Sequence, residues 1–403
     1  MIRPAKRTET VKEYYFSMKL REISGMDQAR LASGEEPVIN LGIGSPDGTP
    51  PAEAIGALCE GASREGNHAY QSYVGTPELR QAFADWYARW YGVQLDPATE
   101  IQPLVGSKEA ILLISLAFLD KGDKVLVPDP GYPVYSSATR LAEADIIAYD
   151  LKEDNGWWPD FEALEQMDLS GVKLMWTNYP NMPTGAPASE DLYAALVDFG
   201  RRHDIFICND NPYSFILNDR PLSILAQPGA RDCCLEINSL SKAHNMAGWR
   251  IGMVAAHEDV ITQILKVKSQ MDSGMFKPLQ MAAVEALRQG PGWFAGLNEE
   301  YRRRRELAGS IFDMMGVTYD KDSTGLFLWG RVPEGTGLEM SDELLYGAGV
   351  FITPGFIFGK NGERYLRISL CAKPEVLMRA KQRIYESRNN RIGPDRGLDG
   401  GRS

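Results

Sequence analysis

Apolar residues follow two rhythms along this chain. Between residues 124 and 210, short apolar runs at 124–128, 145–149, 172–177 and 204–210 alternate with helix-spaced stretches at 161–167 and 189–203. Runs this short and this continuously apolar predict strands buried on both faces, and their alternation with helices predicts a mainly parallel sheet. Further helices are expected over 11–32, 51–65, 77–91, 110–119, 258–271, 278–288, 293–314, 339–347 and 374–387. After residue 314 the order changes. Strands at 325–332 and 365–370 enclose a helix, which predicts a smaller α+β domain packed on the first. The basic run Arg302–Arg305 is expected on a solvated helix face, and residues 389–403 as a disordered tail.

Composition narrows the class. At 403 residues, with 44% hydrophobic and 24% charged residues, the chain has the make-up of a globular protein. Its net charge of −11 carries no acidic block and disfavours nucleic acid and anionic membranes as partners. The five cysteines form no C-x-x-C pair, so buried free thiols in a reducing, cytoplasmic setting are expected. No apolar run approaches membrane-spanning length, and no apolar segment follows the basic N-terminus. Four scattered histidines predict no metal site.

Candidate chemistry clusters where apolar runs end. Lys242 follows Ser239 and Ser241, and Arg250 follows a Gly-Trp pair; apolar runs at 233–237 and 251–256 flank both. A lysine on such a loop can hold an aldehyde as an imine, and an arginine can hold a phosphate. Gly106-Ser107-Lys108 opens a helix, where free N–H groups and the dipole favour an anion. Asp210 ends a strand and is followed by Asn-Pro. Gly44 can let backbone approach a ligand. Arg367 sits within an apolar strand and needs a partner. Taken singly, most of these residues also have plain readings as turns, caps or solvated loop charges. Parallel sheets, however, bind ligands beyond their strand C-terminal ends, and several of these positions fall there.

Taken together, these stretches resemble the class I/II aminotransferases, fold-type I enzymes that depend on pyridoxal 5′-phosphate, over about residues 39–369. The most specific element is Ser239-Leu-Ser-Lys242 with Gly248-Trp-Arg250-Ile-Gly252; Asp210-Asn-Pro-Tyr213 resembles the family's Asp-x-x-Tyr. The resemblance implies an α/β fold with a large cofactor-binding domain at 46–288. A small domain would comprise 1–45 and 289–388. It implies Lys242 as the imine-forming lysine and proton carrier, Asp210 as the partner of the pyridinium nitrogen, and Tyr213 as a hydroxyl near the cofactor's O3′. Ser107, Lys108, Ser239 and Arg250 would form the phosphate cup, with Tyr132 stacked on the ring. Tyr70 would reach the phosphate of a neighbouring subunit, making a homodimer with shared sites. Arg367 would bind the substrate α-carboxylate, with Ile43 and Gly44 closing on it.

One position departs from the pattern. The usual Asn-Pro-Thr-Gly reads Met182-Pro-Thr-Gly185, so the asparagine that donates to O3′ is replaced. Either Asn181 or Asn178 takes its place through a shifted loop, or Tyr213 is the only direct O3′ donor; Asn181 is counted among the cofactor-binding residues.

The expected reaction is transfer of an amino group between an L-amino acid and a 2-oxo acid. A β-eliminating C–S lyase would use the same apparatus. A cofactor-sensing regulator would need an N-terminal DNA-binding domain, for which residues 1–38 are too few.

Overall fold

The computed structural model describes residues 2–391. Its strands are β1 (Ile39–Asn40), β2 (Ile101–Leu104), β3 (Lys124–Asp129), β4 (Asp145–Asp150), β5 (Val172–Thr177), β6 (Phe206–Asp210), β7 (Cys234–Ser239) and β8 (Gly252–Ala255). There follow β9 (Thr318–Tyr319), β10 (Phe327–Arg331), β11 (Val350–Phe351), β12 (Thr353–Pro354) and β13 (Tyr365–Ser369).

Seven strands form the main sheet in the order β2-β8-β7-β6-β5-β3-β4, in which only β8 runs against the others. Helices cover both faces, so successive residues of one strand enter different cores. Leu174 and Trp176 pack with Ile111, Ile114 and Val125, whereas Met175 packs with Leu196, Phe199 and Ile207. This accounts for the continuous apolar runs: both sides of the pleat are buried. It also fixes where polar residues can go. Strands β2, β3, β5, β6 and β7 all end at one edge, where β8 begins, so residues 106–108, 132, 178, 210, 239–242 and 250 share that edge.

A four-stranded antiparallel sheet, β12-β13-β10-β9, forms a second layer, and β1 pairs with β11. The helix Pro291–Met315 joins the two regions. Phe294 packs with Trp86 and Phe215 in a core against the main sheet, and Tyr301 to Met315 pack in the core of the second.

Several elements differ from expectation in instructive ways. The N-terminal helix starts at Tyr15 and not at 11, which frees Tyr14 from it. The helix expected from 110 starts at Ser107, directly after Gly106. Strand β2 contains Pro103, and β9, β11 and β12 have two residues each, too short to show an alternation. Arg304 corrects the solvated-face reading of its run: it is buried and binds Asp47 at 2.7 Å and Glu300 at 2.8 Å. The last helix, Pro374–Arg391, extends into the segment expected as a tail, and residues 392–403 lie outside the described residues.

Candidate active site

A cavity of about 500 Å³ opens between the shared edge of the main sheet and the second sheet. Its first wall grows from β7. The strand ends at Ser239, whose hydroxyl accepts the Ser241 N–H at 3.1 Å and donates to the Ser241 hydroxyl at 2.8 Å. These bonds fold the chain into the short helix Leu240–Ala243 and aim Lys242 into the cavity. The Lys242 Nζ donates to the Gly44 carbonyl at 2.6 Å. Burial, helped by the charges of Arg367 and Arg250, holds its ammonium below the ordinary lysine range. An amine so placed loses its proton readily, as a nucleophile or base must.

Asp210 ends β6 on the adjacent strand. One carboxylate oxygen, Oδ2, accepts the Tyr135 hydroxyl at 2.9 Å, while Oδ1 is buried with no partner. Tyr135 is itself fixed by stacking on Trp176, with ring centres 5.0 Å apart. Burial pushes the Asp210 carboxyl up to about 7; the Tyr135 bond and Lys242 oppose the rise and Glu236 adds to it. A buried acceptor left open in this way calls for a cationic donor in the cavity.

Beside it lies a cradle for an anion. The helix Ser107–Phe118 points its N-terminus into the cavity, next to the hydroxyls of Ser107, Ser239 and Ser241 and the Arg250 guanidinium. Gly106 at φ +79 leaves the space the guanidinium fills, since a Cβ there would collide with it. Arg250 adopts φ +57, a strained conformation for a long side chain, and is held by a 2.9 Å bond to the Ala247 carbonyl.

The facing wall is apolar around a single charge. Arg367 on β13 is fully enclosed, with its guanidinium 4.0 Å from the Phe327 ring centre, 4.6 Å from Phe358 and 5.5 Å from Phe16. It donates to the Gly42 carbonyl at 2.7 Å and to the Met182 sulfur at 3.2 Å, and its Nε has no partner. Burial lowers its pKa to about 10, and no carboxylate forms an ion pair with it among the described residues. A cation desolvated without an anion is costly unless a ligand supplies one.

Most of the expected residues thus meet in one cavity: Lys242, Asp210, Tyr213 and Arg250 with Ser107, Lys108 and Ser239, then Tyr132, Ile43, Gly44 and Arg367. Two do not. Asn181 is turned into its own loop, where its amide donates to the Asn178 carbonyl at 3.1 Å and accepts the Thr184 hydroxyl at 2.7 Å. It therefore does not reach the cavity, contrary to its expected place among the cofactor-binding residues. Asn178 does line it, but its amide is spent on the Asp210 carbonyl at 2.5 Å and the Met182 N–H at 2.7 Å. Tyr70 is 91% exposed and stands away from its own chain's cavity.

Other residues were not foreseen. Tyr14 reaches the cavity from the N-terminal arm, Phe16 from the first turn of the helix that follows, Phe327 from β10 and Phe358 from the turn after β12. Lys108 sits half-buried with its ammonium 5.0 Å from the Tyr14 ring centre, and burial and Arg250 lower its pKa. The Tyr-Tyr-Phe run at 14–16 was the available signal, masked by a helical pattern that begins at residue 11 in the sequence.

An enclosed amine, an open carboxylate oxygen and an anion cradle fit a phosphorylated pyridine aldehyde, which presents a carbonyl, a ring nitrogen and a phosphate. The family model for class I and II aminotransferases matches residues 36–384. The chain is 40% identical to the LL-diaminopimelate aminotransferase of Dehalococcoides mccartyi over 376 residues, 93% of this chain and 96% of that protein. It is 39% identical to that of Aquifex aeolicus, covering 94% and 97%. Among solved structures it resembles substrate-bound BacF of Bacillus subtilis, at TM-score 0.89 and 34% identity over 97% of this chain and 98% of that one. Thermus thermophilus aspartate aminotransferase with maleate matches at TM-score 0.87 and 26% identity, over 96% and 100%.

Proposed function

The chain belongs to the class I and II aminotransferases, and we propose that its amino donor is LL-diaminopimelate. It is a pyridoxal 5′-phosphate-dependent transaminase that moves an amino group between an amino acid and a 2-oxo acid. The aminotransferase names of these relatives favour transfer over the lyase alternative. The substrate proposal rests on one observation: relatives at 38–40% identity over about nine-tenths or more of both chains carry this name. The cavity is compatible with such a substrate. The Lys108 ammonium, without an ion-pair partner among the described residues, offers a second cation for a diacid's far end.

The cofactor supplies an electron sink for the charge left when the substrate loses its α-proton. In our reading Lys242 would hold the cofactor's aldehyde, and its Nζ would carry the substrate α-proton, which its depressed pKa suits. Asp210 Oδ1 would hold the ring-nitrogen proton, while Tyr135 keeps Oδ2 occupied. Ser107, Ser239 and Arg250 would take the phosphate together with the helix N-terminus at Lys108, with Tyr132 available to the ring and Tyr213 to the phenolic oxygen. Arg367 binds the α-carboxylate beside Ile43 and Gly44, and its aromatic surroundings exclude water.

We further assign residues 46–288 to a cofactor-binding domain and 1–45 with 289–388 to a small domain. A homodimer is supported by the exposed Tyr70, Tyr73 and Phe276, apolar rings that a partner would cover. Tyr70 would then complete the neighbour's phosphate cup. Five unpaired cysteines support a cytoplasmic setting.

The test is a half-reaction. The yellow holoenzyme is mixed with single amino acids and loss of its visible absorption is followed. LL-diaminopimelate should convert it faster than the other amino acids of the panel. Conversion by another amino acid with no response to LL-diaminopimelate would overturn the substrate assignment.

A further inference from the structure

The loop after β4 contains a bulky residue in a conformation that bulky residues avoid. Trp157 has φ +62, directly after Gly156 at φ +61. Both of its backbone polar groups are tied down. Its N–H donates to the Lys152 carbonyl at 2.9 Å, and its carbonyl accepts the Tyr179 hydroxyl at 2.7 Å. A left-handed tryptophan persists only where its surroundings fix it, and such strain gathers at sites that need a group aimed in one direction.

The direction here is toward Arg367. The Trp157 ring meets Tyr365 edge-on at 5.3 Å and Trp329 at 6.3 Å. Those two rings stack on each other at 4.9 Å with 5° between their planes. Trp329 is the cross-strand partner of Arg367, and Tyr365 precedes Arg367 by two residues on β13. All three side chains therefore share one face of the second sheet. Trp329 also meets Phe358 at 5.9 Å, and Phe358 lies 4.6 Å from the Arg367 guanidinium. The loop grips this face a second time, where Tyr365 donates its hydroxyl to Glu153 at 2.8 Å. Trp157 packs against both the core of the second sheet and a core of the main sheet.

We propose that Trp157 is a positioning residue for the substrate carboxylate: it braces the Trp329–Tyr365 pair from the main-sheet side and so sets where Arg367 stands over the cavity. Among the described residues Arg367 makes no ion pair that would fix it, and its Nε has no partner. Beyond its bonds to the Gly42 carbonyl and the Met182 sulfur, its placement depends on the rings around it, and on what holds those rings.

The inference rests on reading Arg367 as the carboxylate holder, so Arg367→Lys is measured beside the Trp157 variants. KM and kcat are taken for the fastest amino acid of the panel above and for its 2-oxo acid partner, with the cofactor dissociation constant and the melting temperature. Trp157→Ala should raise both KM values about tenfold with little change in kcat or cofactor affinity, the penalty of a slightly misplaced binding group. Trp157→Phe should restore most of the loss. Trp157→Gly relieves the left-handed strain, so it should melt above the alanine variant yet show the same KM, which a stability defect alone would not give. If Trp157→Ala does not fold, Tyr365→Phe loosens the second grip and should raise KM about threefold. Unchanged KM in the Trp157 variants, with a raised KM in Arg367→Lys, would overturn the positioning role alone. Unchanged KM in Arg367→Lys would overturn the carboxylate reading beneath it.

Discussion

The wall at the main-sheet edge holds Lys242, Asp210, Arg250 and Ser107, each at a strand end or helix start; the facing wall holds one buried cation, Arg367, among Phe16, Phe327, Phe358 and Met182. On the first wall the side chains are placed by backbone that the sheet makes rigid, and polar bonds to neighbouring groups hold them: Lys242 to the Gly44 carbonyl, Asp210 to the Tyr135 hydroxyl and Arg250 to the Ala247 carbonyl. On the second, position comes from packed rings contributed by three separate stretches of chain. The first arrangement suits a group that stays bound and must be met by several donors at once. The second suits a carboxylate that arrives and leaves, since a cation without a resident partner gains most when one enters.

The largest test of this contrast removes the centre of the first wall. Lys242→Ala should lower turnover by about 10²–10⁴-fold or more, as loss of a positioned general base does, while the protein still binds the cofactor through the anion cradle. Turnover close to wild type would mean that the proton moves elsewhere and that the polar wall only binds. On the second wall, Arg367→Ala should cost about 2–5 kcal/mol of binding, read as a raised KM for amino acid and 2-oxo acid alike. A rise for only one of them would show that the two walls share the carboxylate.

A smaller effect should appear without any ligand. Asp210 is raised by burial to about 7 in the folded chain, against roughly 3.9 unfolded. A carboxyl raised on folding favours the fold below its unfolded pKa, and that contribution is lost as pH climbs through the folded one. The apoprotein should therefore lose a few kcal/mol, roughly, between pH 4 and 7 from this group. Asp210→Asn should flatten that slope and melt higher than wild type above pH 7, with the difference closing below pH 4. Equal slopes for the two apoproteins would mean that the open oxygen is hydrated, and that the first wall is less strained than its burial indicates.

The first wall was largely legible in sequence because strand ends announce themselves. Apolar runs stop at Asp210 and Ser239, and the polar residues that follow can point only outward from the sheet edge. The second wall was mostly hidden. Phe16 lay inside an apparent helical pattern, Phe358 in an irregular segment, and Phe327 in a strand whose register only the pairing with β13 sets. Trp157 gave no signal, since a left-handed tryptophan breaks local preference and only tertiary packing can hold it there. Asn181 misled for a related reason: its loop could turn either of two amides inward, and hydrogen bonds absent from the sequence decide between them. Arg304 misled because a run of four arginines hides which one faces inward.

The smallest prediction lies where the two walls touch. Met182 comes from the loop after β5, on the main-sheet side, yet its sulfur is the contact that Arg367 makes at 3.2 Å. A thioether is a weak acceptor and no donor, so the walls meet there without a strong bond. Met182→Asn would place an amide at this junction, able to accept from Arg367 and to donate toward the cofactor's phenolic oxygen. A donor favours the charged phenolate, so the pH midpoint of the bound cofactor's visible absorption should fall, by about half to one unit if one ordinary hydrogen bond is gained. Asn181→Ala should leave that midpoint in place, because the Asn181 amide is already committed to Asn178 and Thr184. A midpoint moved by Asn181→Ala and not by Met182→Asn would mean that the loop rearranges around the cofactor. Residue 182 would then belong to the carboxylate wall alone, and Tyr213 would be left as the hydroxyl beside the phenolic oxygen.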